Sequence, residues 1–200
     1  MTYKAHLKKD TLLAPLLAND TYSLTKRKNT PIRLIASIIS QQLSTKVAKI
    51  IFERFLNLYN GKEPTCMQVV ETPAETLRSI GLSNSKVNYV QNVATFFIEN
   101  KIEDKHLYKM DSSEVIALLT QIKGVGKWTV QMLLMFTLGD EDVFAVDDLG
   151  IQQAMCTLYK FKYTTKKELQ IKMLAKSVKW APYRTYACLH LWKWKDNVAV

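Results

Sequence analysis

The chain has 200 residues, 48% of them hydrophobic and 23% charged. That balance excludes a disordered polymer and allows one large domain or two small ones sharing a core. Lys and Arg exceed Asp and Glu by 28 to 18, a net charge of +10, which suits an anionic partner without naming one. Three cysteines, Cys66, Cys156 and Cys188, are too few and too scattered for a disulfide framework, a zinc site or an iron–sulfur cluster. The N-terminus has no signal-peptide core, and no apolar run reaches membrane-spanning length. The sequence reads as a soluble, cytoplasmic protein, expected as a monomer, with no membrane partner.

Gly and Pro are scarce and alternating patterns are rare, so the reading is all-α with about ten helices. Asp10 can cap a short segment through Leu17. Ser23–Asn29 is a basic loop. Thr30-Pro31 reads as an N-cap followed by proline at the first helical position, and the helix after it carries Ile35, Ile38 and Ile39. Ser44 caps the next helix, with Val47, Ile51, Phe55 and Leu58 as its inward stripe and Gly61 as its stop. Thr72-Pro73 repeats the cap-and-proline signal, and Gly81 ends that helix. Lys86–Asn100 follows. Val115, Leu118, Leu119 and Ile122 then recur at helical spacing after Ser112 or Ser113. Further helices are predicted over Lys127–Leu138, from Asp148 to Tyr159, over Thr164–Val178 and over Pro182–Lys195.

Ile122–Gly150 is the informative stretch. Gly124-Val-Gly126 joins two amphipathic helices. The first glycine permits a positive φ, and the second lets a phosphate approach the amides that open the next helix, beside Lys127. Such a turn grips the nucleic-acid backbone rather than bases. An ordinary helical hairpin turn is the alternative. Downstream, Asp147 and Asp148 stand where the next helix begins, where an acid can serve as an N-cap, as a catalytic carboxylate, or as both.

The run Leu118–Phe136 (L-L-T-Q-I-K-G-V-G-K-W-T-V-Q-M-L-L-M-F), followed by Asp142–Gly150 (D-V-F-A-V-D-D-L-G), resembles the helix-hairpin-helix superfamily of DNA glycosylases, in its 3-methyladenine DNA glycosylase II branch. Ile38–Ser44, Leu77–Val90 and Trp180–Trp192 are similar to further family segments in the same order. The resemblance covers about Thr30 to Trp194. It implies a two-lobed all-α fold without an iron–sulfur cluster. One lobe would span 31–148, with the hairpin at 113–138. The other would combine 1–30 with 149–200.

The resemblance also assigns roles. Asp148 matches the catalytic aspartate and Asp147 its acidic neighbour. Family members that also nick DNA carry a lysine nucleophile two residues after the second hairpin glycine. Here that residue is Trp128, and an indole cannot form a Schiff base, so the expected enzyme is monofunctional and uses water. Alkylated purines are cationic and suit aromatic faces. Trp128 and Trp192 match pocket positions, with Tyr89, Met132 and Tyr186 as further candidates or else core residues. Gln42 and Leu43 match the wedge that fills the gap left by a flipped base. Lys123, Gly124, Gly126 and Lys127 are the backbone-contact candidates, with Lys26–Lys28 as a further basic run. His6, His106 and His190 have no ligand spacing, and His190 reads as packed. No metal and no cofactor are expected, and the expected partner is damaged DNA. The competing reading is a DNA-binding module without catalysis, or a glycosylase for oxidised or mispaired bases.

Overall fold

The computed structural model describes residues 2–198, and among them it contains α-helices and short 3-10 or π turns and no strand. In chain order the elements are α1 (Tyr3–Leu7), a 3-10 turn (Ala14–Leu17), α2 (Thr30–Ser40), α3 (Thr45–Asn57), α4 (Cys66–Glu71), α5 (Ala74–Ser79), α6 (Asn84–Glu99), α7 (Asp104–Leu107), α8 (Ser112–Leu119), α9 (Lys127–Leu133), a π turn (Leu134–Leu138), α10 (Leu149–Tyr159), α11 (Lys166–Ser177), a 3-10 turn (Val178–Trp180) and α12 (Arg184–Val198). The three short helices α1, α4 and α7 escape the sequence pattern because five, six and four residues hold too few turns to show a period.

The chain divides into two compact units, 26–138 and 1–25 with 139–200. The sequence reading put the boundary at Asp148. In the structure residues 139–148 belong with the termini instead. The reason is a set of contacts with the start of α12: Thr185 Oγ1 donates to Asp140 O and accepts from Val143 N, while the Arg184 guanidinium forks onto both oxygens of Asp142 at 2.8 and 2.9 Å.

In the first of these units α2 packs against α3, α6 and α9. Leu34, Ile35, Ile38 and Ile39 are fully buried, each stabilising by about 1.5–3 kcal/mol as transfer from water. The cap of α2 differs from the expectation. Asn29, in a left-handed conformation, is the N-cap and its side chain does not cap. The Asp104 carboxylate reaches across from α7 and accepts from Asn29 N and Thr30 N, so the helix start is closed by a tertiary contact. At α5 the N-cap is Pro73 itself, and Thr72 instead closes α4, its hydroxyl donating to Gln68 O. On α3 Ser44 caps as expected, but Val47 points outward and is 42% exposed. Ile51 and Phe55 carry the inward face.

In the other unit α10 packs against α11 and α12, and α12 against the first 3-10 turn. Its polar keystone is Asp10, a buried acid. Asp10 accepts from Tyr159 Oη and Trp180 Nε1, each at 3.0 Å, and pairs with Lys176 at 2.9 Å. One carboxylate thus joins the N-terminal segment to α10, α11 and the turn before α12. Burial alone would raise its pKa. The donors from Lys176, Trp180 and Tyr159 outweigh that and hold it below its ordinary value.

Candidate active site

The hairpin in unit 26–138 begins at α8, which opens on a reciprocal capping box between Asp111 and Glu114. The chain turns through Ile122 and Val125, both buried, with Val125 N donating to Ile122 O at 3.0 Å. Gly124 stands at φ +101°, and a Cβ there would lie 2.1 Å from Tyr89 Cγ. Only glycine fits, because the Tyr89 ring occupies the space. Tyr89 therefore braces the hairpin through the contact of its ring with the turn. Asn92, one turn further along α6, donates to Lys123 O and fixes the same turn. Gly126 is the N-cap of α9 and contributes no side-chain cap. A Cβ at Gly126 would meet nothing within 4 Å, so the approach to the first amides of α9 is open. Lys123 and Lys127 are exposed on either side of the turn. Trp128 is half-buried in the first turn of α9. Met132 is largely buried in that helix.

Gln42 and Leu43 lie between α2 and α3, as expected. Gln42 is left-handed at φ +59° and exposed, and Leu43 is 36% exposed.

The acid belongs to unit 1–25 with 139–200. Asp148 is the N-cap of α10, and its Oδ1 accepts from Ile151 N at 2.9 Å. The same oxygen accepts from Trp192 Nε1 at 2.8 Å. Two donors on one oxygen fix the carboxylate plane at the positive end of an eleven-residue helix, where an anion is favoured. Gly150 makes that contact possible: a Cβ there would stand 3.0 Å from Trp192 Cδ1, 3.1 Å from Asp148 Oδ1 and 3.2 Å from Trp192 Nε1. Trp192, read from the sequence as an aromatic face, is thus also a donor to the acid.

Gln152 is buried and donates to Val146 O, supporting the turn that leads into Asp148. Asp147 is exposed and accepts from Gln170 of α11, a supporting role. Tyr186 is buried; it stacks on Tyr3 with ring centroids 4.0 Å apart and donates to Glu141 Oε1 at 2.6 Å. It is a packing residue. His190 is buried as well, and burial holds its pKa below the ordinary value. The Cys188 thiol is fully buried, which pushes its pKa up to about 12, so it stays neutral and is no nucleophile. Lys193 pairs with Asp20. Among the described residues no group of three His, Cys, Asp or Glu could hold a metal ion. No described helix is long and apolar enough to cross a membrane.

Sequence reading missed Arg184, Thr185, Gln152 and Gly150. Arg184 and Thr185 act through contacts more than 40 residues away and leave no local signal, and Gln152 looks like any polar helix residue until its amide is found on Val146 O. Gly150 had a local signal: a glycine in the first turn of a helix, two residues after an acid, is out of place for helix propensity alone.

A hairpin with a glycine-only turn and an acid capping a helix define a recognisable class. Residues 35–179 match the family of HhH-GPD superfamily base excision DNA repair proteins, and the chain belongs to that family. It is 36% identical over 185 residues to DNA-3-methyladenine glycosylase 1 of Schizosaccharomyces pombe, covering 90% of this chain and 79% of the relative. It is 35% identical to the DNA-3-methyladenine glycosylase of Saccharomyces cerevisiae over 82% of this chain, spanning 60% of that protein. Among solved structures, a 3-methyladenine DNA glycosylase of Schizosaccharomyces pombe in complex with abasic DNA is similar with a TM-score of 0.85, at 33% identity and with 96% of each chain covered.

Proposed function

We propose that this chain is a monofunctional DNA glycosylase that removes alkylated purines, of the 3-methyladenine and 7-methylguanine type, from damaged DNA. The observation that carries the reading is the Asp148 carboxylate held by two donors at the start of α10, in a chain of this family. As an N-glycosidic bond breaks, positive charge builds on the sugar. A fixed carboxylate stabilises that charge without reorganising, and it can orient or deprotonate the attacking water. Water is the nucleophile in this scheme, because Trp128 offers no amine where a lyase lysine would stand.

The alkylated base is a cation and leaves readily as a neutral purine. The faces of Trp128 and Trp192 suit it by stacking and cation–π attraction. Leu43 and Gln42 serve as the wedge on an exposed left-handed turn. The amides after Gly126, with Lys123 and Lys127, hold phosphates, independent of sequence. No cofactor enters the scheme.

The test is incubation with methylated duplex DNA and chromatography of the released bases. Release of 3-methyladenine and 7-methylguanine, with abasic sites left uncut, is expected. Borohydride trapping should yield no covalent adduct. A second reading draws on the fact that Asp148 already has a structural task as an N-cap: a DNA-binding module without catalysis. It would bind the same duplex and release nothing.

A further inference from the structure

The turn that carries Gln42 and Leu43 is built from the end of α2, and the last carbonyls of a helix need donors from elsewhere. Three are met locally. Ser40 Oγ donates to Ser37 O at 2.8 Å, Gln41 N to Ile38 O at 3.2 Å, and Leu43 N to Ser40 O at 3.1 Å. The carbonyls of Ile39 and Gln41 remain, and a single group takes both: Lys86 Nζ, at 2.8 Å from each.

Lys86 comes from the first turn of α6, where its own amide is capped by Ser83. Its ammonium is half-buried, and burial holds its pKa below the ordinary lysine value. Among the described residues its ion-pair partners include no carboxylate, so its hydrogen bonds are to backbone and its charge faces the negative end of α2. A second brace comes from the other side. Gln41 Nε2 donates to Thr129 Oγ1 at 3.0 Å, and Thr129 is a buried residue of α9 beside Trp128. Between these braces Gln42 keeps a left-handed backbone, which a residue with a Cβ holds only where the surroundings impose it.

We propose that Lys86 is a positioning residue for base extrusion, which closes the end of α2 and holds the Gln42–Leu43 turn rigid as it enters the base stack. This rests on the glycosylase reading above. A wedge must be stiffer than the stack it parts, because unpairing and unstacking a base costs free energy that a yielding turn would not deliver. With Lys86 gone, two carbonyls must seek water and the turn is free to relax. The consequence is specific: a lesion that must be unpaired first should suffer, and a lesion with no partner should not.

The experiment compares Lys86→Met and Lys86→Arg with wild type in single-turnover base release. One substrate carries the lesion in a fully paired duplex. The other carries the same lesion opposite an abasic site, so no base pair opposes extrusion. Lys86→Met should lose roughly tenfold or more on the paired duplex and less than about twofold on the unpaired lesion, since only the first requires unpairing. Lys86→Arg keeps donors for both carbonyls and should recover most of the loss. Fluorescence of 2-aminopurine beside the lesion should report reduced unstacking by Lys86→Met. Thermal melting checks folding. If Lys86→Met does not fold, Gln41→Ala, which removes the other brace, carries the same comparison.

Equal losses on the two substrates, or no loss on either, would overturn the role of Lys86 while leaving the glycosylase reading intact. A wild type that releases base from neither substrate would remove the glycosylase reading and this role with it.

Discussion

Trp192→Phe keeps a ring on α12 and removes one N–H. In the structure that N–H donates to Asp148 Oδ1 at 2.8 Å. A hydrogen bond to a charged acceptor contributes about 1.5–3 kcal/mol. Both residues are only half-buried, so the lower part of that range, about 1.5–2 kcal/mol, applies here. At 1.36 kcal/mol per factor of ten, the single-turnover rate should fall about 10- to 30-fold. The fold should persist. Ile151 N still caps onto the same oxygen at 2.9 Å, and losing the N–H bond together with part of a half-buried indole costs about 2–3 kcal/mol, roughly 5–10 °C in Tm. The assay is base release at saturating enzyme, with the rate and the half-saturating concentration measured separately. A lower rate at unchanged half-saturation supports the positioning bond. An unchanged rate with weaker DNA binding would refute it and leave Trp192 as a stacking face alone.

Gly150→Ala should separate activity from stability: the added methyl crowds Trp192 and Asp148 at 3.0–3.2 Å, while alanine favours the helix by about 1 kcal/mol, so melting temperature holds or rises and the base-release rate drops. Gly124→Ala should destabilise by about 3 kcal/mol or more, since the new Cβ falls 2.1 Å from the Tyr89 ring at a positive φ; Tyr89→Ala in the same chain should return the part due to the clash, read by denaturant melts. Asp10→Asn should cost about 3 kcal/mol by leaving a buried network one charge short. Because the folded pKa of Asp10 lies below its ordinary 3.8, its contribution is present above that value and fades as pH falls through the folded pKa. Wild-type stability followed down from pH 6 should therefore show an acid-side loss below about pH 4 that Asp10→Asn lacks.

Much of the fold was legible because long amphipathic helices announce themselves. The stripe Ile35, Ile38, Ile39 and the Ser44 cap were read at the right places, and the hairpin followed from two glycines between apolar runs. Val47 was misplaced for a physical reason: it shares a helical stripe with Ile51 and Phe55, but it stands in the first turn of α3, where it is left exposed while the two later residues are buried. The α2 cap was misplaced because its donors are answered by Asp104, some 75 residues away. At the site, the position of Asp148 was visible, but its second donor was not. Trp192 and Asp148 are 44 residues apart, and nothing local in either segment says that an indole N–H will meet a carboxylate. Lys86 is the same case: a lysine one turn into a helix looks like a solvated charge until two carbonyls are found on it.

The central claim is that the Asp148 charge drives base release. Asn caps a helix as well as Asp does, so Asp148→Asn removes the charge and leaves the start of α10 intact. The measurement is single-turnover release of 3-methyladenine from alkylated duplex DNA by wild type and Asp148→Asn, with thermal melts alongside. The expected result is release by wild type and a loss of about a hundredfold or more in the variant, the scale for losing a preorganised charge, at equal stability. Full activity in Asp148→Asn, or no release by wild type, would contradict it.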